Sequence, residues 1–204
     1  MSLGDWPEIQ YAAIGDDQVA FAVFGDGPVD LLLFSGLGSH VELAADDPDA
    51  VRLLEGLASF SRVIFFNRRG TGLSDGIGRG GLPTWEDWTD DLTAVLDAVG
   101  ARSASLLAMV DAGPIALQFA ATQPDRVESL VLVNSTARFS RDVDYPIGMG
   151  SERIDTIVEL IGSTWGKVAF VEATNARVGA PAETARLVAR QLRACATPGT
   201  AAAQ

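Results

Sequence analysis

Apolar and polar positions follow two patterns along the chain: short continuous apolar runs, and longer segments with an apolar residue every three or four positions. The continuous runs are typical of strands buried on both faces of a sheet and fall at residues 29–34, 62–66, 104–109 and 130–133. Helical spacing covers residues 51–60, 85–99, 114–123, 154–170 and 184–192. Because strands and helices alternate, the pattern predicts an α/β protein with a mostly parallel sheet and flanking helices.

The two ends of the chain differ from this alternation. Residues 9–14 and 19–24 are short runs separated by Gly15-Asp16-Asp17, which predicts an N-terminal antiparallel hairpin. After residue 136 the chain becomes polar and glycine-rich before its last two helical segments. We therefore expect a core at residues 1–136 and a helical, cap-like region at residues 137–204, whose tail (196–204) should fray.

The most informative segment is residues 106–133, in which a strand, a sharp turn, a helix and a second buried strand follow one another. The turn is Val110-Asp111-Ala112-Gly113, and a Pro-Asp-Arg break follows the helix. This layout resembles the nucleophile elbow of the α/β-hydrolase superfamily, small-x-Ser-x-Gly-Gly on a strand-to-helix turn. Alignment on Gly113 places Val110, which has no nucleophilic atom, at the position of the nucleophile.

An alternative register makes Asp111 the nucleophile, as in the dehalogenase and epoxide-hydrolase branches. Val110 and Pro124 are 14 positions apart (124 minus 110), about the spacing in the serine families, so the spacing favours Val110 over Asp111. The elbow resemblance also implies a positive φ at the nucleophile position, which is strained for a β-branched residue.

Two glycine-rich loops follow earlier strands. Residues 35–40 take the place of the superfamily's oxyanion loop, so the resemblance implies an oxyanion hole formed by the N–H groups of Leu37 and Asp111. Residues 67–75 resemble the Asp-x-Arg-Gly-x-Gly-x-Ser turn, with Asn67 in place of the aspartate. The glycines and the arginine of that turn imply a structural role.

The resemblance is closest to the hydrolase-like domains joined to class III adenylate cyclases. It is carried by residues 25–30, 57–62, 69–75 and 119–124, and by Asp111 and Pro114, which fit the Gly-x-Ser-Glu-Gly-Gly-Pro elbow of that group. In the superfamily the triad acid and histidine follow the elbow on later strands, which we expect to be missing here. The single histidine, His40, precedes the elbow, so it is expected to be a solvated or locally hydrogen-bonded side chain and not the triad base.

These observations predict a catalytically silent α/β-hydrolase-fold protein that acts as a ligand-binding, sensing or scaffold module. The alternative is a hydrolase of this superfamily that acts on ester-type or other small substrates. The expected ligand is small and apolar or acyl-bearing, and neither a cofactor nor a metal is expected.

The composition of the chain disfavours two classes of binding partner and predicts a compartment. The net charge of −12, from 27 acidic and 15 basic residues, opposes binding to nucleic acid or to an anionic membrane through charge. One cysteine, no apolar run long enough to span a membrane and no leader pattern at residues 1–6 predict a cytoplasmic protein. Finally, residues 130–133 would form an apolar strand edge that is covered either by the helical segments 154–170 and 184–192 folded back or by a second copy of the chain. A helix cannot hydrogen-bond a strand edge, which favours pairing with a second copy and predicts a homodimer.

Overall fold

The computed structural model describes residues 6–77, 81–174 and 182–204. Its sheet has six strands in the order β1-β2-β4-β3-β5-β6. The strands are β1 Gln10–Ile14, β2 Asp17–Phe24, β3 Val29–Phe34, β4 Ser61–Phe66, β5 Ala104–Met109 and β6 Val127–Val133. β1 and β2 form the predicted antiparallel hairpin, β2 is antiparallel to β4, and β4, β3, β5 and β6 are parallel. The α/β architecture predicted from the sequence is confirmed.

Seven helices accompany this sheet in the part of the chain that the structure describes. They are α1 Pro48–Ala58, α2 Trp85–Ala98, α3 Gly113–Thr122, α4 Ser151–Thr164, α5 Val168–Ala173, α6 Ala182–Cys195 and α7 Pro198–Ala203, joined in places by short 3₁₀ turns. None of these helices combines the length and apolar character needed to cross a bilayer. The start of the chain, residues 1–5, for which the sequence suggested no leader, lies outside the described residues.

Alternation of side chains along the parallel strands builds two cores. Leu32 of β3 belongs to the apolar cluster that includes residues of α2 and α3, whereas its neighbour Leu33 belongs to the cluster that includes residues of α1. A strand whose side chains are buried on both faces must be apolar throughout, which explains the continuous runs of β3, β4 and β5. The prediction of a second buried strand at residues 130–133 is wrong, because β6 lies at the edge of the sheet and none of its residues is fully buried. The sheet is therefore a middle layer, and its loops are left at the two ends.

The last third of the chain corrects two expectations. Residues 154–170 are not one helix, because Gly166 takes a φ of 70° between α4 and α5. The predicted fraying of residues 196–204 is wrong: α7 forms there, Thr197 caps it by accepting from the Thr200 N–H, and Ala201 is buried. The Thr197 cap is local, but Ala201 packs into an apolar cluster with residues of α5 and α6, which the small-residue composition of the tail does not reveal.

Helix α6 and the end of α7 lie over the carboxyl ends of the strands. The Gly72 N–H, in the loop after β4, donates to the Cys195 carbonyl at the end of α6 over 2.8 Å, and Gln191 donates to the Leu43 carbonyl over 3.0 Å. On the outer strand β6, Val131 and Leu132 remain 49% and 38% exposed. The helices thus cover the end of the sheet where the elbow lies and leave the side chains at the β6 edge accessible.

Candidate functional site

The site begins at the turn that joins β5 to α3, the elbow turn Val110–Ala112. Val110 has a φ of 54°, and its side chain is 50% exposed. The positive φ expected at this position is present, and it falls on Val110 and not on Asp111. Of the two alignments left open by the sequence, the backbone matches the one that places Val110 at the nucleophile position.

Small residues allow this turn to be tight. Ala112 is fully buried, and a β-carbon added at Gly113 would overlap the Ser135 side chain. The Ser135 hydroxyl donates to the Val110 carbonyl over 2.5 Å, so the loop after β6 braces the elbow turn. Ser135 gave no signal in the sequence, because its partner lies 25 positions away.

The Asp111 carboxylate turns back into the site. Both of its oxygens lie 3.1 Å from the Leu37 backbone nitrogen, and Oδ2 accepts from Arg68 Nη2 over 2.9 Å. Gly36 has a φ of 80°, and a β-carbon there would overlap Asp111 Oδ1. The Leu37 N–H, which the resemblance assigns to an oxyanion hole, is therefore bonded to a carboxylate of the same chain.

Arg68 is fixed on several sides. Its side chain is 3% exposed, its guanidinium lies 4.9 Å from the centre of the Trp88 ring, and its Nε donates to Gln204 Oε1 over 3.1 Å. The contact with an aromatic face and two charge-assisted hydrogen bonds, to Asp111 and to Gln204, replace the hydration that the buried guanidinium loses. Arg68 gave no signal in the sequence, because the arginine of the family motif corresponds to Arg69.

The loop after β4, residues 67–75, is here called the arginine turn. Arg69 Nε donates to Asp91 over 2.6 Å, and its two Nη atoms bond to Asp17 and to the Asp87 carbonyl. Burial raises the pKa of Asp91 to about 6, although Arg69 opposes this rise. Arg69 ties the turn to β2 and α2, and the predicted structural role is confirmed.

Asn67 links the arginine turn to the loop after β3. Its Oδ1 accepts from the Val41 N–H over 3.0 Å, and its Nδ2 donates to the Ser39 carbonyl over 2.9 Å. A carboxylate at this position could accept but could not donate, so the amide suits both partners. A β-carbon at Gly72 would overlap this amide, which explains the glycine there.

The two remaining candidates for proton or thiol chemistry, His40 and Cys195, are both engaged in hydrogen bonds within the chain. His40 Nδ1 accepts from the N–H groups of Glu42 and Leu43, and burial lowers the pKa of His40. Of the two states predicted for His40, the locally hydrogen-bonded one is confirmed and the solvated one is wrong, because the side chain is buried. The Cys195 thiol donates to the Ser39 carbonyl over 2.9 Å, and burial raises its pKa to about 12. Across the described ranges, no cluster of three or more His, Cys, Asp or Glu residues could hold a metal ion.

The sheet order, the elbow and its loops are those of the α/β-hydrolase fold. The chain belongs to the α/β hydrolase fold family, whose model matches residues 31–167.

Among curated relatives, a protein from Azorhizobium caulinodans named as a carbamate hydrolase, RutD, is 32% identical over 129 residues, which is 63% of this chain and 45% of that protein. A protein from Neisseria meningitidis named pimeloyl-[acyl-carrier protein] methyl ester esterase is 36% identical over 80 residues, 38% of this chain and 26% of that protein. The chain thus spans less than half the length of these curated relatives.

Solved structures agree on the fold. A bromoperoxidase from Bacillus anthracis superposes with a TM-score of 0.75 at 18% identity, covering 96% of this chain and 72% of that one. An esterase from Exiguobacterium antarcticum gives 0.73 at 19% identity, covering 94% and 70%. At such identities the likeness establishes the architecture, and the chemistry has to be argued from the side chains of this chain.

Proposed function

We propose that this chain is a catalytically silent α/β-hydrolase-fold module that binds a small apolar or acyl-bearing ligand and serves sensing or scaffolding. One observation carries the proposal: the Asp111 carboxylate accepts the Leu37 N–H while Val110 stands at the positive-φ position of the elbow. The motif resemblance to hydrolase-like domains joined to class III adenylate cyclases supports a sensing role. We place the module in the cytoplasm.

The site lacks the nucleophile of acyl transfer, and a donor of its oxyanion hole is already occupied. Valine has no atom that can attack a carbonyl carbon, so no acyl-enzyme can form at Val110. An oxyanion hole needs free N–H donors aimed at the developing negative charge. At Leu37 the donor is bonded to Asp111, and a carboxylate beside a developing oxyanion would repel it.

A second candidate function is hydrolysis of an ester-type or other small substrate. The names of the relatives, a carbamate hydrolase and a methyl ester esterase, favour it. Within this site the nucleophilic atoms would be the oxygens of Asp111. Their hydrogen bonds to the Leu37 N–H and to Arg68 stabilise the carboxylate and reduce its reactivity, so we rank this candidate second.

Hydrolysis of p-nitrophenyl butyrate by the purified parent, Val110→Ser and Asp111→Ala proteins tests the proposal. We expect the parent to stay at the buffer rate. Val110→Ser should remain within about tenfold of it, because Asp111 still holds the Leu37 donor and an isolated serine is a weak nucleophile. Turnover by the parent that Asp111→Ala abolishes would establish the hydrolase instead.

We also propose that the module is a homodimer that pairs through the β6 edge. Val131 and Leu132 are exposed there, and a partner strand would bury them while satisfying backbone N–H and C=O groups. Light scattering at micromolar concentration should give twice the chain mass for the parent. Leu132→Lys should give a monomer, whereas Leu53→Lys, an exposed leucine on α1, should remain dimeric. A monomeric parent would refute the dimer.

A further inference from the structure

We infer that the Arg68 guanidinium and the Leu37 N–H form a binding site for a small monocarboxylate ligand, and that the Asp111 carboxylate fills this site from within the chain. The inference rests on the proposed ligand-binding function and names its ligand class. An external carboxylate would compete with Asp111 for the same two donors.

The donors are already arranged around a carboxylate. Arg68 Nη2 and the Leu37 nitrogen lie 2.9 and 3.1 Å from Asp111 oxygens. Gly36 leaves room for these oxygens, because a β-carbon there would occupy their position. A planar guanidinium beside a backbone N–H matches the geometry of a carboxylate. The resident side chain therefore indicates which chemical group the site accepts.

Asp111 can leave the site, whereas Arg68 is held. The Asp111 side chain is 30% exposed and has two rotatable bonds, so it can swing toward solvent. Arg68 is 3% exposed and is retained by the Trp88 ring and by Gln204. Departure of Asp111 would leave a buried cation without its anion, which favours replacement by another carboxylate.

The surroundings suit a short aliphatic ligand. Val110 is half exposed next to Asp111 in the turn. Leu37 packs against an apolar cluster that is formed by α5, α6 and α7 and includes Trp165 and Leu192. The net charge of −12 would repel a polyanion strongly, whereas it repels a single carboxylate only weakly. A monocarboxylate with a short hydrocarbon tail satisfies both conditions.

Sodium butyrate is the probe, titrated at constant ionic strength against the ¹⁵N-labelled full chain while the Leu37 amide resonance is followed by NMR. We expect a saturable shift in the parent and at least about tenfold tighter binding in Asp111→Ala, because the tethered competitor is removed. Butyramide, which has the same shape without the charge, should not shift Leu37 in either protein.

Asp30→Ala is the matched control. It also frees an arginine, since Arg62 Nε and Nη2 donate to the two Asp30 oxygens over 2.6 and 2.9 Å, but at the other end of the strands. This variant should bind butyrate no more tightly than the parent does. Equal gains in Asp30→Ala and Asp111→Ala would refute a built site.

A folded Asp111→Ala protein whose Leu37 amide does not respond to butyrate would overturn the inference. If Asp111→Ala does not fold, the parent titration decides: a saturable Leu37 shift supports the site, and an unmoved resonance refutes it. Ester turnover by the parent would instead refute the silent function, so the two failures are distinguishable.

Discussion

The arginine turn and the elbow turn both follow parallel strands and both resemble family motifs. The arginine turn keeps its polar contacts to neighbouring elements, whereas the elbow turn keeps only its backbone conformation. In the arginine turn, Asn67 and Arg69 are bonded to neighbouring elements through paired polar groups. In the elbow turn, the backbone keeps the family's strained shape while Val110 holds no reactive atom. The backbone shape of the elbow is therefore set by its small neighbours, Ala112 and Gly113, and persists without a nucleophilic side chain.

The largest expected effect lies in the arginine turn, at Gly72. A β-carbon there would overlap the buried Asn67 amide, and the φ of 55° is itself unfavourable for alanine. Gly72→Ala should lower the free energy of unfolding by about 3 to 5 kcal/mol, because strain and a disturbed polar link add together. Urea denaturation followed by circular dichroism measures this loss.

Gly15 supplies the control for Gly72. Its φ of 57° is nearly the same, but a β-carbon there would meet nothing within 4 Å. Gly15→Ala should therefore cost only the backbone term, about 1 to 2 kcal/mol. Equal losses at the two glycines would show that the overlap with Asn67 contributes nothing, and the arginine turn would then be no more constrained than an open hairpin.

The next largest effect is the pH dependence of stability caused by Asp91, the buried carboxylate bonded to Arg69 of the arginine turn. Because burial raises the pKa of Asp91 from 3.8 to about 6, the folded protein binds more protons than the unfolded chain between these values. The contribution of Asp91 to stability is therefore full below about pH 4, falls by about 3 kcal/mol as the pH rises from about 4 to about 6, and changes little above that.

Comparison of the parent with Asp91→Asn isolates the pH-dependent contribution of the Asp91 carboxyl to the free energy of unfolding. The stability of the parent minus that of Asp91→Asn, measured by urea denaturation at pH 4, 5, 6 and 7, should shrink as the pH rises. A difference that stays constant over this range would mean that Arg69 fully offsets the effect of burial on the carboxylate.

The smallest effect has the opposite sign and lies in the elbow turn. Val110→Gly should raise the free energy of unfolding by about 1 kcal/mol, because glycine tolerates the φ of 54° and the lost side chain is half exposed. Val110→Ala should fall between the parent and Val110→Gly. A loss of stability in Val110→Gly would mean that the valine side chain contributes packing, and the contrast between the two turns would weaken.

The α/β class, the parallel strands, the hairpin and the position of the elbow turn could be predicted from the sequence alone. Each of these depends on neighbours a few positions apart: continuous apolar runs for β3 to β6, helical spacing for α1 to α3, and small residues around Val110. Local periodicity and steric limits are properties of the chain itself, so they can be inferred without knowing what packs against it.

The groups that meet at the site could not be predicted, because they come together only in the folded chain. Asp111 bonds to Leu37 and Arg68 across 74 and 43 positions, and Arg68 bonds to Gln204 across 136. The same long-range contacts order the tail that its composition predicted would fray. A buried polar group requires a partner, but its own sequence neighbourhood does not say which distant residue will supply one, because that choice is made when the loops converge at the carboxyl end of the sheet.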